Sequence, residues 1–153
     1  MSQISDLLPT ENILLDLDAE SKPRLFDALG DLFEAHHGLS RRVVIDSLQA
    51  REKLGSTGIG QGIAIPHGRI RGLKTAQGAF VRLKSPIAFG APDGKPVALV
   101  FVLLVPEQAT EQHLQLLSEL AQMFSDAGFR EKLAVPSDGA ALHAVFEQWG
   151  PGG

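Results

Sequence analysis

Val97-Ala98-Leu99-Val100-Phe101-Val102-Leu103-Leu104-Val105 is apolar throughout, and Pro106 ends it. A strand with no polar face needs cover on both sides, which marks a central strand of a layered α/β sheet. Upstream, Ala91-Pro92-Asp93-Gly94 reads as a turn. Before it, Ala79 to Leu83 reads as a second strand, ended by Lys84-Ser85-Pro86. The connection from Ser85 to Lys95 is short, and short connections suit antiparallel neighbours.

Helices bracket this pair. Ser21 caps a helix through about His37, with Leu25, Leu29, Leu32 and Phe33 as its stripe and Gly38 as its stop. Ser40 caps a second, about Arg41 to Leu54, with Gly55 as its stop. Its inward register is Val44, Leu48, Arg51. After the long strand, Thr110 caps a helix of about Glu111 to Ala127, stopped by Gly128, with the stripe Leu117, Leu120, Ala121, Phe124. A short helical piece follows Phe129, and Ser137 caps a last helix through about Gln148. The expected fold class is α/β: a single-domain sandwich with a mixed central β-sheet flanked by helices. One domain is expected over 1–153, with an ordered core of about 4–149 and a tail at 150–153.

Composition narrows the function. At 153 residues the chain can bury roughly 68–70% of its unfolded surface without staples. With 44% hydrophobic and 21% charged residues, disorder over most of its length is not expected. The absence of cysteine excludes disulfides, thiolate metal sites and a cysteine nucleophile. A net charge of −4 disfavours nucleic-acid binding by a basic face. The N-terminus lacks the basic start and apolar run of a signal peptide, and no apolar run is long enough to insert in a membrane. A cytoplasmic protein is expected.

The chemistry concentrates in Gly55-Ser56-Thr57-Gly58-Ile59-Gly60-Gln61-Gly62-Ile63-Ala64-Ile65-Pro66-His67-Gly68-Arg69. Gly55, Gly58, Gly60 and Gly62 allow backbone shapes that turn amides toward an anion, and Gly58, Gly60, Gly62 and Gly68 are the expected phosphate loop. No Gly-Lys-Ser/Thr follows, so this is no Walker A loop. The run ends in a short strand, Ile63 to Ile65, and a proline, where a dinucleotide fingerprint needs a helix. His67 follows that strand, and Gly68 removes a side chain beside its ring. Such a histidine serves as nucleophile, general base, ligand or hydrogen-bonded structural residue.

Two further residues bear on the choice. His113, third in its helix after Thr110, sits where unpaired first-turn amides favour an anion. It shares the face of Leu117 and Phe124. Arg51 sits on an inward register and needs an anionic partner, and its planar fork suits phosphate. Together the three point to phosphoryl transfer without metal: neutral imidazole attacks phosphorus, and positioning plus charge stabilisation do the rest. A zinc hydrolase built on His67, His113, His36 and His37 is a rival, though no His-Glu-x-x-His is present. Another is a non-catalytic module whose glycine loop holds a small anion. His36-His37, before Gly38, fit a helix C-terminus. His143 fits a surface or packing role.

Gly60-Gln61-Gly62-Ile63-Ala64-Ile65-Pro66-His67-Gly68 resembles the signature of mannitol/fructose-type enzyme IIA domains of the bacterial phosphotransferase system. The resemblance runs from Ile4 to about Trp149. It implies that His67 is phosphorylated, by analogy on Nε2. It also implies that His113, within Thr110-Glu111-Gln112-His113-Leu114, and Arg51, within Ala50-Arg51-Glu52, complete the active site, with no cofactor. Leu54-Gly55-Ser56-Thr57-Gly58-Ile59-Gly60 and the stand-alone length are most similar to the nitrogen-regulatory branch. That branch implies a phosphorylated histidine phosphocarrier protein as donor, and regulated partners such as potassium transporters or sensor kinases. The sugar branch implies transfer to a IIB cysteine instead.

Overall fold

A computed structural model describes residues 3–108 and 111–149. Its described elements are α1 (Gln3–Asp6), β1 (Ile13–Leu17), α2 (Lys22–His37), α3 (Arg41–Lys53), β2 (Gly58–Gly60), β3 (Ile63–Ala64), β4 (His67–Ile70), β5 (Gln77–Ile87), β6 (Val97–Pro106), α4 (Glu111–Ser125), α5 (Ala127–Leu133) and α6 (Gly139–Gln148). The sheet order is β1-β5-β6-β3-β2, with β4 also on β6.

β6 is the central strand its composition demands. It runs antiparallel to β5, placing Phe80 opposite Phe101. On its other side it runs parallel to β3 and then to β4, with Ile63 opposite Leu99 and His67 opposite Leu103. Its alternate residues serve two cores. Val100, Val102 and Leu104 pack with Leu25, Leu29, Phe33, Val44 and Leu48 of α2 and α3. Phe101, Leu103 and Val105 pack with Leu120, Phe124, Phe129 and Phe146 of α4 to α6. Helices thus cover both faces of a mixed sheet, as expected. Each fully buried Leu, Val or Phe side chain contributes roughly 1.5–3 kcal/mol, so two continuous cores share this one strand.

The caps of α2 and α3 follow the sequence signals. Ser21 Oγ accepts from the Arg24 amide and Ser40 Oγ from the Val43 amide. Gly38 closes α2 in the left-handed region at φ 67°. Elsewhere the structure corrects the reading. β5 does not stop at Lys84-Ser85-Pro86 but continues to Ile87. Its pairing with β6 shifts between Arg82 and Ile87, so Pro86 lies where no regular ladder asks for its missing amide. α4 ends at Ser125 rather than Ala127. Asp126 caps a new helix by accepting from the Gly128 and Phe129 amides, so Gly128 starts a helix instead of stopping one. The last helix is capped by Asp138, not Ser137, through the Ala141 amide at 2.8 Å. On α4 the buried residues are Leu116, Leu120, Met123 and Phe124, while Ala121 is exposed. The expected Thr110 cap lies outside the described residues. β1, β2 and β4 were not anticipated as strands. Among the described residues no helix is long and apolar enough to cross a membrane.

Candidate active site

The C-terminal end of α3, the start of β4 and the first turns of α4 converge on one cleft of about 360 Å³. Its lining includes Arg51, Leu54, His67, Gly68, Arg69 and His113. The three residues singled out in the sequence therefore share one cavity. Leu103 and Val105 of β6 form part of its floor, so the central strand also supports the site.

His67 opens β4 directly after Pro66, whose carbonyl accepts from the Leu103 amide at 3.0 Å. The strand start is thereby pinned to the middle of the sheet. Gly68 is needed for packing more than for access to the ring. A Cβ there would collide with the Ser47 side chain on α3. With no side chain in the way, Ser47 Oγ donates to the Arg69 carbonyl at 2.9 Å and α3 lies close on β4. One turn after Ser47, Arg51 then reaches the histidine.

The hydrogen bonds of His67 assign its tautomer. Arg51 Nε–H donates to Nε2 at 3.2 Å, and a guanidinium can only donate. Nε2 therefore carries a lone pair, and the proton sits on Nδ1, which donates to the Ile65 carbonyl at 2.9 Å. Burial of the ring pushes the His67 pKa below the ordinary histidine value. The Ile65 hydrogen bond opposes this, the Arg51 charge reinforces it, and the Glu52 charge opposes it. The result is a neutral imidazole in the cleft whose unprotonated Nε2 receives the Arg51 guanidinium. Arg51 is itself steadied by donating from its guanidinium to the Gly55 carbonyl at 2.9 Å, at the C-terminal end of its own helix.

The glycine run divides. Only Gly68 lines the cleft. Gly58, Gly60 and Gly62 belong to the β2–β3 hairpin, where Gly60 and Gly62 adopt φ 94° and 78° around Gln61 at φ 59°. The hairpin does turn an amide toward an anion, but that anion is the chain's own. Gln61 N donates to the Asp93 carboxylate at 2.9 Å. Hydrogen bonds from the Gln61 and Lys95 amides hold the Asp93 pKa below its usual value. Gly58, Gly60 and Gly62 thus lie outside the cleft, the Gly58 amide donating to Ser56 Oγ and the Gln61 amide to Asp93.

The remaining histidines are engaged away from the cleft. His37 Nε2 lies 2.6 Å from Asn12 Oδ1, and His36 Nδ1 lies 4.0 Å from Glu11. His143 Nε2 contacts the Ser5 carbonyl at 3.0 Å. Among the described residues no group of three or more His, Asp or Glu side chains is placed to hold a metal ion. The zinc arrangement is not built.

A family profile described as "Phosphoenolpyruvate-dependent sugar phosphotransferase system, EIIA 2" matches residues 6–149. The chain belongs to this EIIA type 2 family. It is 39% identical over 146 residues to a "Nitrogen regulatory protein" of Pseudomonas aeruginosa, covering 95% of each chain. A protein of the same name in Bradyrhizobium diazoefficiens is 40% identical over 143 residues, covering 94% of each. Among solved structures it resembles the nitrogen regulatory protein IIA-Ntr of Neisseria meningitidis. That match has TM-score 0.89 and 52% identity over 94% of this chain and 99% of that one. EIIA domains are phosphotransfer components.

Sequence reasoning passed over several residues of this cleft. Leu54 and Leu114 line its mouth and are 84% and 63% exposed. Val43 and Ala50 of α3 and Leu54 at its cap recur at helical spacing beside the buried stripe, which was a readable sign of a second, outward apolar face. Ser47 had no local signal, because its role depends on contact with Gly68.

Proposed function

We propose that this EIIA domain, working as one unit over its core of about 4–149, is a cytoplasmic phosphocarrier that accepts a phosphoryl group on His67 Nε2. The observation that carries the reading is the fixed Nδ1–H tautomer, which leaves Nε2 unprotonated beside Arg51. The donor is a phosphorylated histidine phosphocarrier protein. The bond from phosphorus to the donor's imidazole breaks as the bond to Nε2 forms. The donor nitrogen leaves with the electron pair, and His67 keeps its Nδ1 proton on Ile65. Arg51 then turns its donors from Nε2 to the phosphoryl oxygens. His113, on the facing helix, supplies a second donor to the same group. Leu54 and Leu114 offer apolar contact at the rim where the donor protein must approach.

The output we favour is regulation through phosphorylation state, in keeping with the nitrogen-regulatory names of the similar proteins. Potassium transporters and sensor kinases are the regulated classes to test first. Transfer onward to a IIB cysteine, as in a sugar-specific EIIA component, is the second reading, and the same cleft would serve it.

Incubation with a phosphorylated histidine phosphocarrier tests the proposal. The chain should gain one acid-labile, base-stable phosphate by mass spectrometry, and His67→Ala should gain none. A phosphate retained in His67→Ala would sink the assignment, and no uptake by the wild type would leave an anion-binding module. Pull-downs with phosphorylated and unphosphorylated protein, set beside transfer to a IIB domain, separate regulation from transport.

A further inference from the structure

Glu52 closes α3 one residue after Arg51, and its side chain is only 8% exposed. Its two oxygens receive three donors. Oε1 accepts the Thr57 hydroxyl at 2.7 Å, and Oε2 accepts the Thr57 amide at 3.0 Å and the Lys22 ammonium at 2.8 Å. Lys22 is fixed in turn, donating to the Phe89 carbonyl at 2.9 Å and lying 4.3 Å from the centre of the Phe89 ring. This cluster joins α2, α3 and two loops outside the cleft.

Its connections lead to both nitrogens of His67. The Thr57 carbonyl accepts the Ile65 amide at 3.0 Å, and the Ile65 carbonyl accepts Nδ1–H of His67 at 2.9 Å. On the other side, the Gly55 carbonyl, two residues before Thr57, accepts from the Arg51 guanidinium whose Nε–H lies on Nε2. A single buried carboxylate therefore anchors the segment from which the ring is held at each end. Glutamine replaces it only at a cost: its oxygen can accept the Thr57 amide and the ammonium, and its NH₂ can donate to the Thr57 hydroxyl, but that hydroxyl bond is reversed and Lys22 loses its counter-charge. Removing one partner of a shielded ion pair loosens the cluster that the pair holds together.

We infer that Glu52, with Lys22 and Thr57, is a positioning residue for the phosphoryl acceptor, fixing the tautomer of His67 and the reach of Arg51. This rests on the phosphocarrier reading above. The role is a positioning one, because the cluster lines no part of the cleft and reaches the ring through hydrogen-bonded backbone, the Glu52 charge being the least of the influences on the His67 pKa.

The test uses the full chain labelled with ¹⁵N-histidine, as wild type, Glu52→Gln, Thr57→Val and Thr57→Ser. NMR reads the His67 tautomer, and single-turnover uptake from a phosphorylated histidine phosphocarrier reads the rate. The wild type should show the Nδ1–H form alone. Glu52→Gln and Thr57→Val should show both tautomers and take up phosphate about tenfold or more slowly, the scale expected of a misplaced reacting group. Thr57→Ser, which keeps the hydroxyl, should recover most of what Thr57→Val loses. A single Nδ1–H form with an unchanged rate in Glu52→Gln overturns the inference. Should that variant not fold, the same result in Thr57→Val, which retains the backbone bond to Glu52, overturns it equally. Failure of the phosphocarrier reading looks different: wild-type His67 takes up no phosphate, while the tautomer still shifts in the variants.

Discussion

The β2–β3 hairpin and the start of β4 come from one glycine-rich stretch, and both direct polar groups at a negative charge. In the hairpin the charge is internal, since Gln61 N already donates to Asp93. At β4, among the described residues, the Arg51 guanidinium reaches the neutral Nε2 of His67 and the Gly55 carbonyl. The hairpin's hydrogen bond stabilises the fold. Among the described residues no carboxylate lies against that guanidinium, which leaves the kind of demand a phosphoryl group meets. Glycine content alone therefore does not make a phosphate site; what matters is whether the chain supplies the anion itself.

The largest test of this contrast is at Arg51. Arg51→Ala should slow phosphoryl uptake about 100-fold, the cost of losing one preorganised donor at a developing charge. His113→Ala should cost on the order of tenfold, equivalent to about 1.4 kcal/mol, and should still leave His67 able to react. Stopped transfer kinetics measure both, and equal rates for wild type and Arg51→Ala would make that residue structural. Next comes Gly68→Ala, which drives a methyl group into Ser47 and should lower the free energy of unfolding by about 1–3 kcal/mol in urea. Unchanged stability would mean that α3 can draw back from β4 without penalty.

The pH profile should show a smaller effect. His67 has its pKa below the ordinary value of 6.5, so it stays neutral where a free histidine is already protonated. The acid limb of phosphoryl uptake should therefore lie below 6.5. Stability follows the same sign. The unfolded chain takes up this proton first, so the contribution of His67 is full above 6.5 and declines as the pH falls toward the folded pKa. An acid limb above 6.5 would contradict a buried neutral ring. The smallest effect is expected of Asp93→Asn. It should lower the melting temperature slightly as the hairpin loses its charged partner, and leave the uptake rate at His67 unaltered. A changed rate would tie the hairpin to the site after all.

The layered fold was legible because β6 has no polar face and because α2 and α3 carry Ser caps and glycine stops. Of the shorter strands only β3 was, read as Ile63 to Ile65. β2 and β4 span four residues or fewer, and each depends on an edge supplied from elsewhere, β4 on β6 and β2 on β3. His67, Arg51 and His113 were legible as residue types at particular helix and strand positions. Glu52 and Thr57 were not, because their importance lies in hydrogen bonds that no periodicity records. The misplaced caps have one cause: Asp126 and Asp138 compete with neighbouring Gly128 and Ser137, and the side chain that reaches a free amide decides the boundary.

The pairing of His67 with Leu103 also sets an order of events. During synthesis the histidine leaves the ribosome well before the strand it must lie against. Until β6 has emerged and docked, Pro66 has no amide to receive, β4 has no edge and α4 does not exist. A nascent or truncated chain thus carries the proposed acceptor without its setting. Phosphorylation of His67 would then certify that the chain has been made and folded through its central strand and the helix beyond.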